Sequence, residues 1–208
     1  MSIDYVAVGD SLTVGVGASF MSPGFVHRFA CKMQSHYEEH VCPDIYAKSG
    51  ITSEEVLSIF QQPTVMNRVK EAEIITITAG GNDLIDATKT YEEQQNQIVF
   101  IQALKKCCQN YKRILATIYD AKGKSNPFSI MILDLYNPFP QIPLAEKWIR
   151  AFNQHIHSYS SKPYVKIIPV YSLFRHHKQE YLSIDHVHPN DLGYQKMAQL
   201  LFEIEKKK

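Results

Sequence analysis

Five short apolar runs punctuate this chain, and each is followed by a stretch of helical periodicity. The runs lie at residues 3–8, 44–47, 73–79, 128–135 and 165–170, with 44–47 the weakest. Continuous aliphatic and β-branched runs of this length mark strands buried on both faces, as in a parallel sheet. Between them come core-facing stripes: Phe25, Phe29, Met33 and Tyr37, with Val26 and Ala30, after a first-turn Pro23. The capping box Thr52-x-x-Glu55 precedes Val56, Leu57 and Phe60, and Pro63 opens a further piece. A second box, Thr90-x-x-Glu93, predicts one long helix carrying Ile101, Leu104, Cys108, Tyr111, Leu115 and Ile118, ended by Gly123 and Pro127. Leu144, Trp148, Phe152, Ile156 and Tyr159 follow Pro143, and Tyr194, Met197, Leu201 and Ile204 follow Asn190. Pro169 suits an edge strand.

Strand–helix alternation without linker, repeat or low-complexity stretch predicts a flavodoxin-like three-layer α/β/α sandwich with a five-stranded parallel sheet. At 208 residues, 45% of them hydrophobic, one domain spanning residues 1–208 is expected. A strand order 2-1-3-4-5 would put the first strand beside the third at the switch point, where such sheets bind ligands.

A formal net charge of +1 with no basic stripe argues against nucleic acid as a partner. Lys206-Lys207-Lys208 reads as a solvated helix end. Cys31, Cys42, Cys107 and Cys108 contain no Cys-x-x-Cys pair and read as reduced thiols. Strand-like sequence from Ile3 leaves no room for a signal peptide, and no run is long enough for stable membrane insertion. The expected location is cytoplasmic.

The chemistry-bearing residues fall at strand ends. Ser11 closes the first strand in Gly9-Asp10-Ser11-Leu12. A serine hydroxyl needs a base to act as nucleophile. His188 offers the imidazole, and Asp185 a carboxylate to fix its tautomer. Pro189 holds His188 out of helical geometry. Acyl transfer also needs donors for an oxyanion. Gly50 ends the second strand and Asn82 the third, so both fall at the rim that carries Ser11; taken alone, Gly50 reads more readily as a plain turn glycine than as a donor, and Asn82 is often only a turn former.

Gly9-Asp10-Ser11-Leu12, the Gly50 turn, Gly80-Gly81-Asn82-Asp83 and Asp185-His186-Val187-His188 together resemble the four blocks of the GDSL, or SGNH, hydrolase family, in type, order and spacing. That resemblance implies the SGNH hydrolase fold and carboxylic ester hydrolysis of lipase or lysophospholipase type, without a cofactor or metal. It implies Ser11 as nucleophile, His188 as base, Asp185 as its partner, and Ser11, Gly50 and Asn82 as oxyanion donors. Leu12-Thr13-Val14-Gly15, Gly24-Phe25-Val26, the segment from Leu135 to Phe139 and His188-Pro189-Asn190 are similar to the branch tied to spore germination in bacilli. That branch implies a lipid ester substrate and association with spores. Phe139 and Ile142, on an apolar loop stiffened by three prolines, are candidates for an acyl-chain wall, or else they pin the loop to the core.

Four other readings are weaker. His155, His157, His176, His177, His186 and His188 invite a metal, but His155 and His157 are two apart and do not share a helix face. Gly15-x-Gly17 lacks the third glycine of a dinucleotide fingerprint and the Gly-Lys-Ser/Thr of a phosphate loop. The family also contains carbohydrate O-deacetylases, and a catalytically dead binding module would keep the fold.

Overall fold

The computed structural model describes residues 2–123 and 127–206, apart from the Lys178 side chain. In chain order the elements are β1 (Ser2–Gly9), α1 (Ser11–Val14), α2 (Phe25–Tyr37), β2 (His40–Ala47), α3 (Ser53–Ile59), α4 (Pro63–Glu71) and β3 (Ile74–Thr78). There follow α5 (Gly81–Gln94), α6 (Ile98–Lys122), β4 (Ser129–Leu133), α7 (Pro143–Ser158), β5 (Val165–Ile168), α8 (Val170–Phe174), α9 (Lys178–Tyr181) and α10 (Asp191–Glu205). The sheet is parallel in the order β2-β1-β3-β4-β5, the flavodoxin-like order expected from the sequence.

Strand alternation splits the core in two. Val6 and Val8 of β1, Ile75 and Ile77 of β3, and Ile130 and Ile132 of β4 face α3 to α7. Tyr5, Ala7, Met131 and Leu133 face α2, α8 and α10. Each fully buried aliphatic or aromatic side chain contributes about 1.5–3 kcal/mol. Exposed ion pairs such as Lys89–Asp86 contribute about 0–1 kcal/mol each, so the two apolar layers decide the architecture.

Three sequence expectations need correction. The long helix is two. Thr90 lies inside α5, where its hydroxyl donates back to the Asp86 carbonyl rather than capping a helix. Gln95 then takes φ +52 and the Asn96 side chain accepts from the Ile98 N–H, opening α6 without a Gly or Pro. The inward stripe of α6 runs through Phe100, Cys107, Tyr111, Ile114 and Ile118, while Ile101 is 54% exposed. Pro23 precedes α2 rather than opening it, because Gly24 is the cap residue. The second strand begins at His40, four residues earlier than expected. As an edge strand paired only with β1 it tolerates Pro43 and a mixed burial pattern that hides it. Lys207 and Lys208 lie outside the described residues, and Lys206 pairs with Glu203 at 2.7 Å.

Candidate active site

The pairing of Gly9 with both Ala47 and Thr78 brings three adjacent strand ends to one edge. Ser11 lies two residues beyond Gly9, Gly50 three beyond Ala47, and Asn82 four beyond Thr78. Asp10 fixes the turn that presents Ser11. Its carboxylate accepts from the Leu12 N–H at 3.1 Å and from the Thr78 hydroxyl at 2.8 Å, and Thr13 in turn donates to Thr78 at 2.8 Å. Burial pushes the Asp10 carboxyl above the usual carboxylate range, against the pull of those donors.

Ser11 is 9% exposed, and His188 Nε2 lies 3.0 Å from its Oγ. His188 Nδ1 lies 2.6 Å from Asp185 Oδ2. The other carboxylate oxygen accepts from Ser183 Oγ at 2.7 Å and from the Val187 and His188 N–H groups at 2.9 Å each. Burial works to raise the Asp185 carboxyl, but these donors, the His188 ring first, hold it well below the usual range. A carboxylate accepting from Nδ1–H leaves Nε2 unprotonated toward the serine hydroxyl. Such a chain of carboxylate, imidazole and hydroxyl can move a proton off the serine.

Gly50 takes φ +82, a backbone state that favours glycine. Asn82 Nδ2 donates to the Ile51 carbonyl at 2.8 Å, which ties the third strand end to the second. The Ser11 and Gly50 N–H groups have no acceptor among the described residues. The four sequence blocks therefore converge on one rim of the sheet.

Known proteins resemble this chain in both sequence and fold. The pattern of the GDSL-like Lipase/Acylhydrolase family matches residues 7–196. The chain belongs to that family. The spore germination lipase LipC of Bacillus licheniformis is 44% identical over 97% of this chain and 95% of its own. The crystal structure of the lipase Lip_vut3 from a goat rumen metagenome superposes with TM-score 0.93 at 43% identity, covering 98% of this chain and 97% of that one. An acetyl-xylooligosaccharide esterase mutant from Geobacillus, at 14% identity and TM-score 0.73 over 98% and 95% of the two chains, shares the fold.

This GDSL hydrolase carries supports that the sequence reading did not single out. Gly17 has φ +94, and a Cβ there would meet Pro189 O at 2.6 Å and His188 Cβ at 2.8 Å. Gly17 thus lets the loop after β1 pass directly against the histidine segment, while Gly15 packs against Gly24. Tyr136, three residues beyond β4, donates to the Val187 carbonyl at 2.5 Å and stacks on Phe174. Asp83 accepts from Ser53 twice, and Ser53 accepts from Asn110. In the sequence Asp83 shows only as the neighbour of Asn82, and Gly17 only as half of a Gly-x-Gly pair.

Phe139 and Ile142 are 38% and 45% exposed. Both follow the C-terminal end of β4, on the Ser11 side of the sheet. The other histidines do not converge: His155 pairs with Tyr159, and His157 with the buried Asp134. Among the described residues no group of three or more His, Cys, Asp or Glu is placed to hold one metal ion. The four cysteines are free, and no helix among the described residues is long and apolar enough to cross a membrane.

Proposed function

We propose that this ester hydrolase acts on lipid-like acyl esters through Ser11, His188 and Asp185. The observation that carries the reading is the pair of contacts on one imidazole: Ser11 Oγ at 3.0 Å on Nε2 and Asp185 Oδ2 at 2.6 Å on Nδ1. Ser11 Oγ attacks the acyl carbonyl carbon while His188 Nε2 takes its proton, and Asp185 stabilises the imidazolium. The carbonyl oxygen becomes an oxyanion that accepts from the Ser11 N–H, the Gly50 N–H and the Asn82 amide. One such donor is typically worth about a hundred- to a thousandfold in rate. The tetrahedral intermediate collapses, and His188 returns the proton to the departing alcohol. Water, activated by the same imidazole, then cleaves the acyl-serine.

The lipid preference is supported by the exposed Phe139 and Ile142 on the loop after β4, at the sheet edge that carries Ser11, and by the lipase names of the two relatives described above. The test is active-site labelling with a fluorophosphonate, followed by peptide mass spectrometry. Label on Ser11 alone, with Ser11→Ala folded and at least a thousandfold slower, is the expected result (about the residual set by binding and oxyanion contacts). Label on another serine overturns the assignment.

A further inference from the structure

Two consecutive side chains at the start of α5 grip the chain that follows Gly50. Asn82 holds the Ile51 carbonyl at 2.8 Å. Asp83, 7% exposed, takes the Ser53 N–H at 2.7 Å on one oxygen and the Ser53 hydroxyl at 2.6 Å on the other. Ser53 is wholly buried and accepts from Asn110 of α6 at 2.9 Å. Glu55 holds the Thr52 N–H at 2.9 Å, so three successive residues beyond Gly50 are fixed by hydrogen bonds. We propose that Asp83, acting through Ser53, is a positioning residue that sets the separation between the Gly50 N–H and the Asn82 amide.

The physical case starts from the two strand ends. Gly50 follows β2 and Asn82 follows β3, strands that do not touch because β1 lies between them. The sheet ladder therefore relates the two donors only through β1, and both donors lie beyond the last paired residues. The Asp83–Ser53 pair and the Asn82–Ile51 bond bridge that gap. A carboxylate accepting an orphan N–H of the first turn of α3 is also an ordinary helix cap. A cap alone serves stability, and it has no reason to act on turnover more than on substrate binding. Misplaced oxyanion donors do, because their contact strengthens in the transition state.

The proposal rests on the oxyanion assignment made above, and the test separates the two. Asp83→Asn, Asn82→Ala and the double variant are compared on p-nitrophenyl butyrate, with folding checked by circular dichroism. Asp83→Asn should lower kcat about 10- to 100-fold with KM within about twofold, less than or equal to the loss of a whole donor. Inhibition by a trifluoromethyl ketone, which Ser11 converts to a hemiketal oxyanion, should weaken by the same factor. In the Asn82→Ala background the kcat effect of Asp83→Asn should shrink several-fold, since the two act through one structure. Equal effects in both backgrounds, or a change confined to KM and melting temperature, overturn the positioning role. A wild-type kcat in Asn82→Ala instead removes the oxyanion assignment itself, and this proposal with it. Should Asp83→Asn not fold, Ser53→Ala, which deletes one hydroxyl, enters the same cycle. Failure of both to fold assigns the pair to stability alone and also overturns the proposal.

Discussion

Replacing Gly17 by alanine should separate the His188 imidazole from the Ser11 hydroxyl while leaving both side chains in the sequence. The new methyl would meet two atoms that cannot swing aside, the Pro189 carbonyl oxygen at 2.6 Å and His188 Cβ at 2.8 Å, besides Ser183 Oγ at 3.1 Å. Ordinary contact begins near 3.4 Å, so the histidine segment must withdraw by roughly 0.6–0.8 Å. Added to the present 3.0 Å between His188 Nε2 and Ser11 Oγ, that shift stretches the bond to about 3.7 Å, beyond hydrogen-bond range. Misplacement of about 1 Å costs roughly 100-fold in rate. A loss of 30- to 100-fold in kcat/KM is therefore expected, about 2–2.7 kcal/mol of transition-state stabilisation. Alanine at φ +94 is also strained by about 1–3 kcal/mol, which lowers Tm by about 2–4 °C for each kcal/mol in a chain of this size. Gly123→Ala is the control, because φ there is +55 and the space around a Cβ is open. It should lose stability of the same order and keep its turnover. Both variants are assayed on p-nitrophenyl butyrate and by thermal melting. Wild-type kcat/KM in a folded Gly17→Ala would refute the reasoning.

Two further predictions concern a carboxylate away from Ser11 and the acyl chain. Burial works to raise the Glu146 carboxyl, but donors on Tyr171, Asn137 and Arg150 pull it down to about 2 from 4.5. A depressed folded pKa adds stability above pH about 4.5 that disappears as the pH falls toward 2; discounted for partial exposure it is about 2 kcal/mol. Glu146→Gln should therefore melt lower than wild type near neutrality, with the gap closing between pH about 4.5 and 2, and a gap constant with pH would contradict this. On the acyl side, each methylene buried against Phe139 and Ile142 should add up to about 0.8 kcal/mol. Across p-nitrophenyl esters, kcat/KM should climb from acetyl to octanoyl, and Phe139→Ala with Ile142→Ala should flatten the climb while sparing acetyl. Acetyl as the best wild-type substrate would favour a carbohydrate deacetylase instead.

Strand order and the converging strand ends were legible because buried parallel strands read as continuous apolar runs, and because the candidate site residues follow those runs directly. Legibility failed where a side chain substituted for a usual signal. Asn96 opens α6 by accepting the Ile98 N–H, so the break between α5 and α6 carries neither glycine nor proline. The long α6 stripe slipped because Ile101 satisfies the same three-four spacing as the true inward face yet lies on the surface. Gly17 could be noticed but not interpreted, since its constraint comes from Pro189, 172 residues further along the chain.

That distance points to an asymmetry in how the site is held. Ser11 is seated by groups of the sheet itself: Asp10 and Thr13 both engage Thr78 at the end of the neighbouring strand. The histidine segment has no sheet ladder. It hangs from one antiparallel bridge between Leu182 and Pro189, from Asn190 reaching the Glu180 and Leu182 carbonyls, and from the Tyr136 hydroxyl on Val187. Inside that sling the Asp185 carboxylate gathers four donors, two of them backbone N–H groups. The carboxylate thus organises its own loop as well as the imidazole, and a change at Asp185 alters both at once. Tyr136 and Gly17 hold the same segment from outside without contacting the ring nitrogens. Their variants therefore report on placement of the base alone, separately from its electrostatics.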